Sequence, residues 1–284
     1  RVHRFIRRRY GMKILKKTLI YLFLILLTFI TLLPVLYAFF GSFKSNQELL
    51  VSGARLIPEK FILDNYAEAW RLADFKTYTW NSVYMTFFSV IGVVASSAMG
   101  GYAFSRGNFP GKKLIFGLFT ATMFISLGTV TLYPQLQIAR LLHINKSLWG
   151  IIIMKIFGVS AMNLFLVRGF VNSIPKEIDE AATIDGCHFG KIFVSIILPL
   201  MKPILATIAI ITFKTVWNDY LLPMVFTIST PKKAPLVVGV VALKNTGEGA
   251  TSWNLMLAGT MISIIPMILV YLGLNRYFVE GMTN

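Results

Sequence analysis

The stretch Glu180–Pro199, EAATIDGCHFGKIFVSIILP, has two ends suited to different solvents. Glu180, Ala181, Ala182, Asp185 and Gly186 are small or polar, whereas Ile196, Ile197 and Leu198 are apolar and run into Pro199. Asp179 to Asp185 reads as a short helix opening after Pro175, with acidic residues in its first turn, where the helix dipole favours negative charge. Ala181 and Ala182 favour helix and let another surface approach closely. Gly186 lets the backbone turn at low steric cost. A second short helical piece then leads into an apolar segment. The polar half therefore belongs in water against a partner, and the apolar half in a membrane.

The rest of the chain supports a membrane solvent. Of 284 residues, 56% are hydrophobic and 14% charged, with mean hydropathy +0.68. Soluble domains are usually about 45–50% apolar and about 25% charged. Crossing the hydrocarbon takes about 20 mostly apolar helical residues, and six segments qualify: Thr18–Phe43, Ser82–Ser105, Leu114–Leu136, Ser147–Val167, Phe193–Phe226 and Leu255–Phe278. Pro199, Pro203 and Pro223 are expected to break or kink the ends of the fifth. The first span is too long for a signal-peptide core and is expected to be retained.

The formal net charge of +16 and pI of about 10.0 would suit nucleic acid on a soluble surface. Here the basic residues gather before the first span and in the loops after the second and fourth, which marks those segments as cytoplasmic. The loop from Lys44 to Asn81 instead balances five basic residues against five acidic ones. The expectation is an all-α polytopic membrane protein with six transmembrane helices, both termini cytoplasmic and a short cytoplasmic helix between helices four and five. Residues 1–17 form a basic N-terminal segment and 18–284 a single transmembrane domain. Its inner loop with that helix covers about 169–195 and its outer loop about 228–254. Trp80, Trp149 and Trp253 then fall at the outer ends of spans two, four and six, as an interfacial aromatic belt would.

Little points to catalysis. No G-x-x-x-x-G-K-[ST] phosphate loop occurs. His3, His143 and His188 lack ligand spacing, so no metal site or His-based triad is expected. The single cysteine, Cys187, excludes an intramolecular disulfide. Lys155 and Lys214 lie within spans four and five, and such cations usually face a bundle interior or a wet cavity. Either could line a solute path, hold a partner, or be capped by neighbouring carbonyls. Lys214 precedes Asp219 by five residues, too far for i,i+4 pairing, so Asp219 is expected at the outer mouth without need of a partner. Asn163, Trp217, Asn218 and Tyr220 offer amides and aromatic faces suited to neutral polyols. Ordinary interhelical hydrogen bonding would use the same residues.

The spacing E-A-A-x3-G-x9-I-x-L-P, here Glu180, Ala181, Ala182, Gly186, Ile196, Leu198 and Pro199, resembles the coupling signature of ABC-importer permeases of the maltose-type, carbohydrate-uptake branch. WNDYLLP at Trp217–Pro223 and LNRYFVEGMT at Leu274–Thr283 resemble the same branch. The resemblance implies a bacterial inner-membrane importer subunit for a carbohydrate of oligosaccharide size, partnered by a second homologous permease, an ABC ATPase dimer carrying the ATP and Mg, and an extracytoplasmic solute-binding protein. It needs no cofactor on this chain, no nucleic acid and no enzymatic activity. Asp179, Glu180, Ala181, Ala182, Asp185 and Gly186 become the ATPase-coupling residues, with Glu180 against a basic group and Ala181 and Ala182 against the groove wall. Lys155, Asn163, Lys214, Trp217, Asn218, Asp219 and Tyr220 become the translocation path. Lys232, Lys233, Gly247, Glu248 and Gly249 become the binding-protein docking loop. Glycerol-phosphate and uronate oligomers are alternative solutes. An ion-coupled secondary transporter would need acidic residues within spans, where only Asp219 comes near.

Overall fold

The computed structural model describes residues 2–51, 55–125, 128–158, 160–245 and 251–283, with side chains described from Lys16 to Gly273. All regular structure among them is helical. In chain order the helices are α1 Val2–Gly41, α2 Asn46–Val51, α3 Asp64–Leu72, α4 Phe75–Arg106, α5 Lys112–Ala121, α6 Leu132–Leu141, α7 Leu148–Phe157 and α8 Ala161–Ser173. They continue as α9 Glu177–Ile184, α10 Phe189–Ile192, α11 Leu198–Leu200, α12 Lys202–Trp217, α13 Leu221–Thr227, α14 Leu236–Ala242 and α15 Trp253–Thr283. The chain forms two compact units, one of residues 1–72 and 243–262, the other of residues 73–242 and 263–284.

Three stretches are long and apolar enough to cross a membrane alone: Lys16–Gly41, Phe75–Arg106 and Trp253–Gly273. Two further candidates are bent pairs, α7 with α8 at 47° and Phe189–Leu200 with α12 at 76°. The sharper bend falls at Met201, between Pro199 and Pro203, where missing amide donors and ring clashes end a helix. The expected third span, Leu114–Leu136, is not one continuous helix. Between α5 and α6 lie 3-10 turns at Thr122–Phe124 and Gly128–Thr131. Gly128 has φ +53, outside the helical region. Thr122 and Thr131 each turn a hydroxyl back on a carbonyl three residues earlier, competing with helix continuation. Hydropathy counted these residues as spanning because it ignores backbone preference.

In the first unit, Asn65 donates to the carbonyls of Ser42 and Lys44 at 2.9 and 2.8 Å and accepts from Asn254 at 2.9 Å. Lys44 is 1% exposed. Its ammonium bonds the Arg55 carbonyl and lies 3.9 Å from Glu48, so the buried charge is solvated by protein.

In the second unit α4 is the central element, packed against α7, α8, α12 and α14. Its glycines permit this approach. A side chain at Gly92 would overlap Ile156 of α7, and one at Gly101 would overlap Val167 of α8. In lipid, where exposure of apolar atoms costs little, such close van der Waals fit is what joins helices. One core cluster contains Ala98, Tyr102, Val167, Val171, Ala182, Ile192, Ile197 and Met201. A second contains Met85, Ile151, Ile152, Val216, Leu222 and Phe226.

Candidate functional site

The opening stretch folds as helix, turn and helix. Glu177, Asp179 and Glu180 occupy the first turn of α9. The C-terminus is closed by a reciprocal pair of hydrogen bonds. Gly186 N–H donates to Thr183 O at 3.0 Å, and Cys187 N–H to Ala182 O at 3.0 Å. That pattern is a Schellman motif and needs a left-handed residue at its turn, which Gly186 supplies with φ +79. His188 then caps α10, its Nδ1 accepting from Lys191 N–H at 3.4 Å, and a π-helical turn, Phe193–Ile197, joins α10 to α11.

A side chain at Gly186 would meet nothing within 4 Å, so only the backbone angle restricts this position. Gly186→Val is therefore expected to abolish coupled transport, because a β-branched residue is an outlier at positive φ. Gly186→Asn should retain most of it, since asparagine visits this region readily. ATP-driven uptake by both variants checks the pair, and equal activity would contradict the backbone argument.

α9 presents two faces. Glu180, Ala181, Ile184 and Asp185 are exposed, Ile184 at 86%. The inward face meets the chain itself. Ala182 is 6% exposed and packs in the chain's own core. Asp179 accepts at Oδ2 from Arg106 Nε at 2.9 Å, with side-chain exposures of 16% and 7%. Arg106 also donates to Ile174 O at 2.6 Å. Asp179 therefore holds α9 onto α4 instead of facing outward.

Arg106 escaped the sequence reading, where it counted only as loop charge; nothing local links residues 73 positions apart. Ile184 could have been noticed, being the one large apolar residue between Thr183 and Asp185. A cavity of about 510 Å³ opens beside α9, lined by Tyr102, Arg106, Asp179, Thr183, His188 and Phe189 among others. Close by, Lys112 donates to the Ser105 and Gly107 carbonyls at 3.0 and 2.8 Å. Burial, reinforced by the charges of Arg168 and Lys176, holds its pKa below the usual lysine value.

The second expected group divides. Lys155 Nζ lies 2.5 Å from Asp219 Oδ2, with side-chain exposures of 24% and 16%. This corrects the expectation that Asp219 stands alone. Each charge sits at an interruption of a helix, Lys155 before the break ending α7 and Asp219 in the gap between α12 and α13. A cavity of about 150 Å³ adjoins them, lined by Lys155, Ser160, Asn163, Thr212 and Thr215. Asn163 and Thr212 are otherwise buried, at 5% and 6% exposure.

Trp217 does not join this cavity. It is 3% exposed, lies parallel to Phe213 with ring centres 5.5 Å apart, and donates its indole N–H to Ser263 O at 3.3 Å. Its polar atom is satisfied by protein. Asn218 spends its amide on Lys214 O at 2.9 Å. Lys214 is exposed and Tyr220 half-buried. Lys232 and Lys233 are exposed in a 3-10 turn, Pro231–Lys233. Gly247, Glu248 and Gly249 lie outside the described residues. Among the described residues no three His, Cys, Asp or Glu side chains converge to hold a metal.

The chain is similar to known proteins. The chain is 32% identical to the galactooligosaccharides transport system permease protein GanQ of Bacillus subtilis, over 93% of this chain and 92% of that one. It is also 32% identical to the diacetylchitobiose uptake system permease protein NgcG of Streptomyces coelicolor, over 89% and 83% of the two chains. A structure of a bacterial ABC transporter involved in the import of the acidic polysaccharide alginate matches with a TM-score of 0.76 and 26% identity. That match covers 92% of this chain and 95% of the other. Residues 92–284, which hold α7 to α15 and the whole helix–turn–helix, match the family described as "Binding-protein-dependent transport system inner membrane component". The chain thus belongs to the family of inner membrane components of binding-protein-dependent transport systems.

Proposed function

We propose that this chain is one of two permease subunits of an ATP-driven importer for a neutral oligosaccharide. The observation that carries this reading is α9: a surface helix with Glu180, Ala181 and Ile184 outward, fixed at one end by the Gly186 turn and continuous with a bent apolar helix. Such an element can be pushed from outside the membrane and pass the push inward. In this reading the chain crosses the bacterial inner membrane six times, with both termini and α9 in the cytoplasm. The coupling helix meets an ABC ATPase that carries the ATP and Mg. Lys232 and Lys233, with Gly247, Glu248 and Gly249, meet an extracytoplasmic solute-binding protein.

The cavity beside Lys155 supports a neutral solute. Asp219 neutralises the lysine, leaving Ser160, Asn163, Thr212 and Thr215 as the polar lining. Hydroxyl and amide groups both donate and accept, which suits sugar hydroxyls. Lys214 then belongs on the face toward the second permease or the solute path, since an unpaired cation is disfavoured in lipid. A second reading, an anionic sugar, is favoured by the likeness to the alginate importer and by 29% identity to the sn-glycerol-3-phosphate transport system permease protein UgpE of Pectobacterium atrosepticum.

The test is uptake into proteoliposomes containing both permeases, the ATPase and the binding protein. ATP-dependent accumulation of labelled neutral oligosaccharides, unaffected by excess uronate oligomers, is expected. Preferential uptake of the anionic oligomers would favour the second reading. Uptake driven by a proton gradient without ATP would contradict the proposal.

A further inference from the structure

We propose that α4 is a rigid tie between the 231–242 segment and the coupling helix α9, and that Asn81 and Arg106 are the positioning residues toward its two ends. The inference rests on the importer reading for what each end meets.

The helix runs 32 residues without proline, about 48 Å at 1.5 Å per residue. A bilayer with its headgroups is about 40–45 Å thick, so one unbroken helix reaches both surfaces. At one end Asn81 Nδ2 donates to the carbonyls of Lys232 and Ala234, each at 2.9 Å. The neighbouring Ser82, 1% exposed, accepts at Oγ from Leu236 N–H at 2.7 Å. One turn of α4 thereby grips the Pro231–Lys233 turn and the start of α14. One turn earlier, Tyr78 lies so close to Gly239 that any side chain there would overlap its ring.

The other end is gripped as firmly. Tyr102 lies against Phe189 and Phe193, ring centres 4.5 and 5.0 Å away. Arg106, one turn on, bonds Asp179 and Ile174 O. Ser105 donates to Asn172 Oδ1 at 2.6 Å. Asp179 Oδ1 is buried without a partner, so losing Arg106 would strand the whole carboxylate. Short polar bonds at both ends, with close helix packing between them, make α4 an element that moves as one piece or not at all. A displacement of the 231–242 segment by a docking protein would then reach α9 through Arg106 and Asp179.

Spatial intermediacy alone is not coupling, so the test is a double-mutant cycle. The assembled complex is placed in nanodiscs with its binding protein and a mixture of neutral gluco- and galacto-oligosaccharides. The readout is the ratio of stimulated to basal ATP hydrolysis for wild type, Asn81→Ala, Arg106→Lys and the double variant. Each single variant should lower the ratio at least fivefold, and the double variant should be no worse than the more severe single, because a tie is lost when either end lets go. A double loss equal to the product of the single losses, or a wild-type ratio in either single variant, would overturn the proposal. If Arg106→Lys does not assemble, Tyr102→Leu serves as the variant at that end, judged by the same criteria. Wild type without any stimulation would contradict the importer reading itself, whereas stimulated wild type with unaffected variants removes only the tie.

Discussion

Glu180→Lys should release the ATPase during purification and eliminate stimulated ATP hydrolysis, while the protein still inserts and pairs with its permease partner. Glu180 is exposed on α9 and makes no ion pair among the described residues. Its neighbour Asp179 is committed to Arg106, which leaves Glu180, with Glu177, as the carboxylates of this turn available to a partner. Truncating one member of a desolvated, hydrogen-bonded charge pair costs about 2–5 kcal/mol. Reversal adds repulsion, and it places a cation in the first turn of a helix, an unfavourable position worth a further 0.3–1 kcal/mol or so. Glu180→Gln, which keeps shape without charge, should show an intermediate loss. Co-purification of the ATPase with each variant checks the order. Full retention by Glu180→Lys would mean that this face meets nothing charged.

Lys155→Met should destabilise the subunit severely, and adding Asp219→Leu should restore most of the loss. Removing one partner of a buried ion pair strands the other charge at a cost of about 3–5 kcal/mol, whereas replacing both by apolar groups is often neutral. Both side chains here are mostly buried, and both mark interruptions of helices, where a free carboxylate can draw water into the bundle. Thermal unfolding of the detergent-solubilised complex should show a large drop for the single variant and near-wild-type behaviour for the double. Equal destabilisation by both would assign the effect to lost packing instead of stranded charge. A double variant that is stable but inactive would place the pair on the solute path; one that transports normally would make it a structural clasp.

The parts of this fold legible in the sequence are those governed by neighbours in the chain. Gly186 announced a turn because only a flexible backbone permits the reversal, and the structure finds it at positive φ. Pro199 and Pro203 announced the 76° bend because they remove amide donors at that point. What stayed hidden depends on residues far apart. Asp179 and Arg106, or Lys155 and Asp219, meet only after the helices pack, with separations of 73 and 64 residues. Trp217 read as a sugar platform because its type suits that role, yet α12 turns it toward Ser263. Composition named the side chains; the rotation of each helix decided what they touch. The third apolar segment misled for a related reason, since hydropathy registers transfer from water but not the left-handed backbone at Gly128.

The central claim is that α9 transmits between a solute-binding protein and an ATPase. It is tested most directly by ATP hydrolysis in proteoliposomes holding the complete complex, measured with and without binding protein and neutral oligosaccharides. The account predicts strong stimulation for wild type and none for Glu180→Lys or Gly186→Val in complexes that still contain both permeases. Stimulation of both variants to the wild-type level would contradict it.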